Sequence, residues 1–326
     1  MTFGRDRKQT KKPQNGHAAA GSSSRVGRQS GRRRGSWRGG QIRCAVCLLA
    51  AGAIALVVGM LAVSSYGLCV SIYEVGTGGT VSDIRIVQLA DLHGSEFGAD
   101  NQRLVKKVAA QNPDLILIAG DLLNSSKEDS LETAETLIAA LCEIAPVYIS
   151  YGNHEKEYEK AYGVDISAVY EAAGGTLLEY SYADIEVNGQ AIRLGGIYGY
   201  CLPPKYLETG EAEEEECAFL FEMQNTDLYT ILLCHIPVCW VYNDGINEWD
   251  IDCVFTGHVH GGQVIIPGIG GLWAPDMGWF PGRLSGLVKS DDGLKIMVYN
   301  RGLGNTDDLP RFNNIPEIVV VDLVPG

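Results

Sequence analysis

Residues 84–93 read IRIVQLADLH. The apolar run predicts a buried strand over Ile84–Ala90, and two side chains that can bind a metal, Asp91 and His93, follow it directly. The same arrangement recurs four more times along the chain. Leu115–Ala119 precedes Gly120-Asp121, Val147–Ser150 precedes Gly152-Asn153-His154-Glu155, Tyr229–Cys234 precedes His235, and Cys253–Thr256 precedes Gly257-His258-Val259-His260.

Amphipathic stretches separate several of these apolar runs. Asn101–Gln111 and Asp129–Ile144 read as helices, and Ala168–Ala173 ends a further one. Strands that alternate with helices are typical of an α/β domain with a largely parallel core. We therefore expect the fold class to be α/β.

Other strands are predicted in the second half of the chain. Asn188-Gly189 is a strong turn signal and predicts a hairpin between Leu177–Val187 and Ala191–Tyr198. Lys295–Asn300 and Glu317–Asp322 alternate in hydropathy late in the chain. We expect these two to be added as antiparallel strands.

The polar residues that follow the five runs are expected to meet. In open α/β sheets, functional groups gather at the carboxyl ends of the strands. A turn after a strand does not require histidine, so the recurrence of histidine at these points favours a ligand cluster over chance. The cluster comprises Asp91, His93, Asp121, Asn153, His154, His235, His258 and His260.

These residue types indicate divalent metals. Imidazole and carboxylate ligands without thiolate suit Zn, Mn or Fe. All members of the cluster except His154 are candidate ligands, which is too many for one tetrahedral ion but suits two ions that share a bridge. Two ions beside only two carboxylates keep a positive charge that attracts phosphate. A serine nucleophile is not favoured, because the sequence has no Gly-x-Ser-x-Gly elbow.

The five blocks, in this order, resemble the signature of the calcineurin-like metallophosphoesterase superfamily over about residues 84–300. Later segments are similar to its membrane-associated bacterial branch: Gly261-Gly262-Gln263, Arg301-Gly302-Leu303-Gly304, Pro310-Arg311-Phe312 and Pro316-Glu317-Ile318. The chain departs from the family at Glu155, where aspartate is commoner. Because Glu155 is not among the ligands that the resemblance carries over, we expect activity to be kept.

The resemblance implies an architecture and a set of residue roles. The implied architecture is a four-layer α-β-β-α sandwich over residues 84–326; the N-terminal transmembrane helix is predicted separately, from the apolar run described below. The implied activity is hydrolysis of phosphomonoesters or phosphodiesters by a metal-bridging hydroxide, with His154 contacting the phosphate or assisting the leaving group. The resemblance implies that Asp91, His93 and His260 hold a first ion, that Asn153, His235 and His258 hold a second, and that Asp121 bridges them. Arg301 and Arg311 are predicted either to clamp phosphate or to form caps and salt bridges.

The N-terminal segment differs from the rest of the chain in charge. Residues 1–43 carry twelve Lys or Arg and one Asp, whereas residues 44–326 carry 14 Lys or Arg against 39 Asp or Glu. A polar tail of this composition cannot offset its chain entropy, so we expect it to be disordered. A nucleic-acid patch is less favoured, because the bases abut an apolar run and few aromatic residues interleave them.

Residues 44–73 carry no charge before Glu74, and Cys44–Val63 is apolar and long enough to span a bilayer as a helix. The bases before this run and the acids after it predict a cytoplasmic N-terminus and an extracytoplasmic body. Residues 74–83 are glycine-rich and are predicted to be a linker. The length of the run favours a retained anchor over an export signal, although Ala62 and Ser64 fit a signal cleavage site.

Cysteine usage gives two expectations. Cys201 and Cys217 lie in loop-like sequence and could pair with each other. The spacing of a thiolate zinc site does not occur outside the apolar run.

The charge of the body and one apolar segment limit the possible classes of substrate. The strongly acidic body disfavours nucleic acid, since long polyanions require compensating bases. Val264–Gly282, just past His260, predicts an apolar wall beside the metals, a lip that faces a bilayer, or ordinary core. The anchor, this segment and the bacterial branch together indicate a phospholipid or glycolipid phosphoester, and the resemblance suggests nucleotide-linked diacyl sugars such as a UDP-diacylglucosamine. A tethered enzyme for soluble nucleotides and a non-catalytic metal-binding scaffold stay open as alternatives, and the sequence identifies no protein partner.

Overall fold

A computed structural model describes residues 36–305 and 310–326 of the chain. Most of the tail that we expect to be disordered lies outside these residues. The chain separates into two units, residues 1–52 and 53–326, and every candidate site residue belongs to the second.

The first sheet has six strands and carries three of the predicted runs. The strand order is β1-β15-β2-β3-β4-β5, with β2 to β5 parallel to one another. The strands are β1 (Cys69–Gly76), β2 (Ile84–Leu89), β3 (Leu115–Ala119), β4 (Val147–Ser150), β5 (Thr176–Leu177) and β15 (Glu317–Val324).

The second sheet also has six strands and carries the other two runs. Its order is β13-β14-β9-β8-β7-β6, in which β7, β8, β9 and β14 are parallel. The strands are β6 (Ser181–Val187), β7 (Gln190–Ile197), β8 (Tyr229–Cys234), β9 (Cys253–Thr256), β13 (Gly286–Lys289) and β14 (Ile296–Tyr299). A smaller antiparallel sheet contains β10 (Ile265–Ile266), β11 (Gly270–Ala274) and β12 (Gly278–Gly282).

Helices cover the outer faces of the two large sheets. These helices are α2 (Gln102–Ala109), α3 (Ser130–Cys142), α4 (Asn153–Tyr162), α5 (Ile166–Ala172), α6 (Glu214–Met223), α7 (Val238–Tyr242) and α8 (Gly245–Glu248), and a further helix, α1 (Ser36–Tyr66), precedes β1. Side chains of α2 to α5 pack on the first sheet, and those of α6 to α8 pack on the second. This arrangement is the predicted four-layer α-β-β-α sandwich.

The apolar runs are continuous because each central strand is buried on both faces. Along β3, Leu115 and Leu117 point into the core between the two sheets, whereas Ile116 and Ile118 point into the core beneath the helices. Both faces of β3 are therefore apolar, and its first polar side chain, Asp121, comes after the strand ends. The predicted hairpin at Asn188-Gly189 is confirmed, with β6 and β7 antiparallel on either side of it.

The boundary between the apolar helix and the domain differs from the prediction. The structure places Cys69–Gly76 in β1, which pairs in parallel with β15 along its whole length. Residues 69–73 are therefore not part of a span, residues 74–76 are not linker, and the domain starts before Ile84. The sequence misled because β1 lies at the edge of the sheet and has only one fully buried side chain, Val75, so it lacks the apolar run of a central strand.

Two other predictions are corrected in part. β14 is antiparallel to β13 but parallel to β9, and β15 is antiparallel to β2 but parallel to β1, so both late strands are antiparallel on one side only.

All cysteines in the described part of the chain are free thiols. Cys201 Sγ lies 3.5 Å from Cys234 Sγ and not beside Cys217, whose thiol donates to the Leu202 carbonyl.

Helix α1 contains one segment with the length and composition of a membrane span. Gln41–Tyr66 has 26 residues, and its most hydrophobic window of 18 residues has a mean hydropathy of 2.7 and is not buried by the protein. An export signal would meet the same criteria. Gln41–Tyr66 is therefore a candidate membrane span.

Candidate metal centre

The predicted site residues all follow the carboxyl ends of five strands. β2 leads to Asp91 and His93, β3 to Asp121, β4 to Asn153 and His154, β8 to His235, and β9 to His258 and His260. Five of these residues, Asp91, His93, Asp121, His258 and His260, adopt positive φ angles between 47° and 69°. Non-glycine residues rarely adopt this conformation, and it clusters at functional sites.

The first group of candidate ligands contains Asp91, His93 and His260. One ligand atom of each lies within 4.8 Å of the others. The Nε2 atoms of His93 and His260 are 3.0 Å apart, and His260 Nε2 is 3.8 Å from Asp91 Oδ1. All three side chains are buried.

The second group contains Asp121, His235 and His258. His235 Nε2 is 3.3 Å from Asp121 Oδ2, and His258 Nδ1 is 3.1 Å from Asn153 Oδ1, which adds the amide to this group. Asp121 Oδ2 is also 3.7 Å from His93 Nε2 in the first group. One carboxylate oxygen therefore faces both groups.

Two observations show that this donor set fits metal ions. Asp91 Oδ2 is buried and has no hydrogen-bond partner, which is costly unless a ligand satisfies it. The two facing Nε2 atoms of His93 and His260 lie at the separation of about 3 Å that two nitrogen ligands have at right angles around one ion. The set is rich in imidazole and carboxylate, as zinc, manganese or iron prefer.

Burial sets the charge of most of the histidines. Burial lowers the pKa of His93 to about 3, and it also lowers the pKa values of His258 and His260. These three imidazoles are neutral near pH 7, which is the form that binds a metal.

His235 and the two carboxylates behave differently. Burial opposes protonation of His235, but the attraction of Asp121, with Asp91, raises its pKa to about 10. Burial raises the pKa of Asp91 to about 7, against the attraction of His235. The pKa of Asp121 is held well below its usual value by His235, although burial acts in the opposite direction. An ion bound by His235 must therefore displace a proton.

His154 lies beside the two groups with one ring nitrogen already engaged. The backbone N–H of Ser125 donates to His154 Nδ1 at 3.1 Å, so a neutral His154 carries its proton on Nε2. Its ring packs edge-on against His93, with the ring centroids 4.5 Å apart. His154 and Ser125 line the same cavity of about 370 Å³ as His93, His258 and Trp273. An Nε2–H in this cavity can donate to a bound phosphoryl or leaving-group oxygen.

Backbone space explains the glycine in the Gly152-Asn153-His154 block. A Cβ atom on Gly152 would lie 2.1 Å from Asp121 Oδ1, which is closer than any side chain permits. The loop after β4 can therefore approach Asp121 only with glycine at this position. The approach lets the N–H of His154 donate to Asp121 Oδ1 at 2.9 Å.

Two supporting residues were not predicted from the sequence. Asp276, from the turn between β11 and β12, accepts a hydrogen bond from His258 Nε2 at 2.8 Å, which directs His258 Nδ1 toward Asn153. Glu155 is buried and accepts hydrogen bonds from the backbone N–H groups of Asp121 and Gly152 at 2.8 Å each. The family resemblance drew attention to Glu155, whereas no sequence signal indicated Asp276.

The two arginines are engaged by groups of the protein. Arg301 forms a 2.9 Å ion pair with Glu317, as the salt-bridge interpretation predicted. Arg311 is fully buried, donates to the Gly304 carbonyl at 2.6 Å, and places Nη2 3.3 Å from His260 Nδ1. Arg311 therefore contacts the candidate ligand His260 from within the protein, and it is not among the residues that line the cavity.

Comparison with known proteins agrees with this site. The profile of the calcineurin-like phosphoesterases matches residues 84–262, and the chain belongs to this family. The family uses a dinuclear metal site, and this chain is a hydrolase that acts on phosphoester bonds. A scaffold without catalysis is therefore not supported.

Individual relatives are distant. The chain is 28% identical over 251 residues to phosphodiesterase YaeI of Escherichia coli (strain K12), which covers 74% of this chain and 82% of YaeI. It is 22% identical over 287 residues to UDP-2,3-diacylglucosamine pyrophosphatase LpxG of Chlamydia muridarum, which covers 73% of this chain and 83% of LpxG. Among solved structures, phosphopantetheinyl hydrolase PptH of Mycobacterium tuberculosis matches 67% of this chain and 89% of its own, with a TM-score of 0.42 and 13% identity.

Proposed function

We propose that this chain is a dinuclear phosphoester hydrolase that is anchored in the cell membrane and acts on a lipid-linked phosphoester outside the cytoplasm. The observation that carries the dinuclear assignment is the position of Asp121. Its Oδ2 faces His93 at 3.7 Å and His235 at 3.3 Å, one from each group of candidate ligands.

The assignment of ligands follows from these two groups. Two divalent ions, of Mn, Zn or Fe, would supply Lewis acidity toward phosphoryl oxygens and activate water. Asp121 would bridge the two positions. The first position would be formed by Asp91, His93 and His260, and the second by Asn153, His235 and His258.

The chain's own groups orient the reaction. His154 donates its Nε2–H to a phosphoryl oxygen or to the leaving group, while the Ser125 N–H holds its Nδ1 at 3.1 Å. His235 donates its Nδ1–H to the Ala119 carbonyl at 2.7 Å, which leaves Nε2 free to bind an ion. Asp276 likewise accepts a hydrogen bond from His258, but at Nε2, which leaves His258 Nδ1 to bind an ion.

Two substrate classes have support. The likeness to LpxG, together with the candidate span, supports a lipid-linked phosphoester such as a nucleotide-linked diacyl sugar. The likeness to YaeI, which is named a phosphodiesterase, supports a tethered enzyme for soluble phosphodiesters as the second candidate. Trp273, which lines the cavity, favours the first class because it offers an apolar wall beside the phosphate position.

Orientation is proposed from charge. Twelve Lys or Arg precede the apolar run, and they favour a cytoplasmic N-terminus and an extracytoplasmic domain. Protease added to intact cells or protoplasts should digest the domain and spare the tail. Protection of the domain until the membrane is lysed would contradict this topology, whereas release of a soluble domain starting near Ser65 would identify the run as a cleaved signal.

The function is tested with a panel of substrates. The full chain, reconstituted in lipid nanodiscs with Mn, Zn or Fe, is assayed on lipid-linked and soluble phosphoesters side by side. A shorter chain that starts at residue 75 would remove most of β1, so the full chain is the appropriate material. Faster turnover of the lipid-linked esters supports the proposal, and exclusive turnover of soluble esters would favour the second candidate. Equal failure on both classes with metal bound would contradict the hydrolase assignment.

A further inference from the structure

One residue, Asn314, links the last turn of α1 to the candidate metal ligand His260 through hydrogen bonds. Asn314 is buried, and its backbone N–H donates to Ser64 Oγ at 3.3 Å. Its side-chain Nδ2 donates to the His260 carbonyl at 2.7 Å. Ser64 is itself buried, although most of the preceding helix residues from Ala53 onward are exposed. These hydrogen bonds of Asn314 therefore tie the end of the candidate span to the segment that carries His260.

The connection between α1 and the domain is short and packed. Only Gly67 and Leu68 separate α1 from β1. A Cβ atom on Gly67 would lie 2.4 Å from the Val63 carbonyl oxygen and 3.0 Å from Ile315 Cγ2, so only glycine allows this close approach. If α1 spans a bilayer, the domain surface around Ile315 must meet the headgroup layer.

The small sheet extends this surface toward the cavity. The Asn313 side chain donates to the Ile265 carbonyl of β10 at 2.9 Å, which joins the sheet to the segment that packs on α1. Three large apolar side chains of this sheet and its turn are exposed: Ile269 at 55%, Trp279 at 65% and Phe280 at 58%. Trp279 pairs across the strands with Trp273, which lines the cavity. The sheet that carries these exposed side chains is thus joined to the helix end through Asn313 and reaches the cavity through Trp273.

Basic residues flank the same helix end. Arg103 of α2 donates to the Tyr66 carbonyl at 3.0 Å, and Lys107 donates to the Leu68 carbonyl. Lys106, between them on α2, is exposed. Residues 44–326 hold only 14 Lys or Arg against 39 Asp or Glu, and three of those bases lie on this one helix. Lys and Arg side chains at this position can bind the phosphates of lipid headgroups.

We propose that Arg103, Lys106, Ile269, Trp279 and Phe280 form a docking face that lies in the headgroup layer of the bilayer spanned by α1. Tryptophan is enriched at this depth because its ring is amphipathic. The cavity would then receive the phosphoester of a membrane lipid directly from the bilayer surface. The inference rests on the proposed anchoring and deepens it by naming the surface through which the substrate enters.

Tryptophan fluorescence tests the face without measuring activity. The full chain with Trp37→Phe, which removes the tryptophan next to the span, is reconstituted in vesicles of phosphatidylcholine and phosphatidylglycerol that contain brominated phospholipid as quencher. We expect Trp279→Phe to remove most of the remaining quenching. Trp249→Phe is the matched control, because Trp249 is fully buried and should contribute none.

Kinetics test the consequence for substrate entry. Trp279→Gln combined with Phe280→Gln should lower the ratio of vesicle-borne to soluble phosphodiester turnover about tenfold, since two apolar side chains no longer enter the lipid. The probes are a diacylglycerol-tailed fluorogenic phosphodiester and bis-p-nitrophenyl phosphate. Leu294→Gln is the control. Leu294 is 71% exposed, but it lies just before the amino end of β14, whereas the metal centre lies at the carboxyl ends of the parallel strands. The ratio cancels any loss of folded enzyme.

The outcomes separate this inference from the proposed function. Quenching that Trp279→Phe leaves unchanged, in a chain that inserts and hydrolyses phosphoesters, would overturn the docking face alone. A chain that does not insert into vesicles would overturn the anchoring and the face together. An unchanged turnover ratio in the double variant would show that substrate does not enter across this surface.

Discussion

Replacing Glu155 by glutamine should destabilise the domain far more than such a small change suggests. Glu155 is fully buried at the start of α4, where a glutamate commonly caps the helix. Its Oε2 accepts from the N–H groups of Asp121 and Gly152, and its Oε1 accepts from those of Leu122 and Leu123. The carboxylate thus ties the Asp121 loop to the loop that carries Asn153.

The magnitude follows from counting donors. A glutamine has one accepting oxygen, so in either orientation its amide nitrogen faces two buried N–H groups. Each unpaired buried donor costs about 1–3 kcal/mol, which gives a loss of about 4 kcal/mol in the free energy of unfolding. In a domain of this size that loss lowers Tm by roughly 8–16 °C.

The control removes only one of the hydrogen bonds. Tyr170 donates its hydroxyl to Glu155 Oε1 at 3.1 Å, and Tyr170→Phe should cost about 1 kcal/mol because Oε1 keeps two backbone donors. Thermal unfolding of the metal-free proteins, followed by circular dichroism, measures both variants. If Glu155→Gln lowers Tm no more than Tyr170→Phe does, Glu155 does not hold the two loops together.

Three further predictions concern the metal centre. His154→Ala should keep both ions but lower turnover about 10²–10⁴-fold, because it removes a hydrogen-bond donor to the phosphate and no metal ligand. Loss of metal in this variant, measured by elemental analysis, would show that His154 is a ligand instead. Asp276→Asn should weaken metal binding about 10–100-fold, because His258 loses the carboxylate that orients it, and unchanged affinity in a competition titration with a chelator would contradict this role. Metal binding at pH 8.5 should release at least one proton per chain, because the pKa of His235 is raised to about 10 while that of Asp91, at about 7, leaves it ionised; a bound water that ionises would add a second proton. Affinity should therefore fall as pH decreases below 10, and calorimetry in two buffers of different ionisation enthalpy that detects no proton release would refute the assignment of His235 as the protonated ligand.

The sequence was sufficient for the central strands and for the residues at their ends. β3 is buried on both faces and wholly apolar, and β2 and β8 contain only Arg85, Gln88 and Thr230 as polar exceptions, so the metal-binding residue types that follow these strands could be read directly. Positions along the chain, however, do not determine distances between loops. That Asp121 Oδ2 faces both His93 and His235 depends on how the two sheets pack.

Features that depend on tertiary contacts were missed. β1 is an edge strand, so it has no continuous apolar run, and it follows the apolar helix directly in sequence. Its residues were therefore assigned to the span and the linker. Asp276 lies in a turn without any motif, and only the folding of the small sheet brings it 2.8 Å from His258. Arg311 resembled a phosphate clamp by residue type, but burial beside His260 gives it a supporting role.

The most direct test of the dinuclear centre is the metal content of the wild-type chain and of Asp121→Asn. The amide in this variant would keep the hydrogen bond from the His154 N–H through its side-chain oxygen but lose the charge that faces both groups. Elemental analysis after equilibration with excess Mn or Zn and removal of free metal should give two ions per wild-type chain, and Asp121→Asn should lose affinity for both ions together with most activity. A stable content of one ion in the fully active wild-type chain would contradict the dinuclear centre.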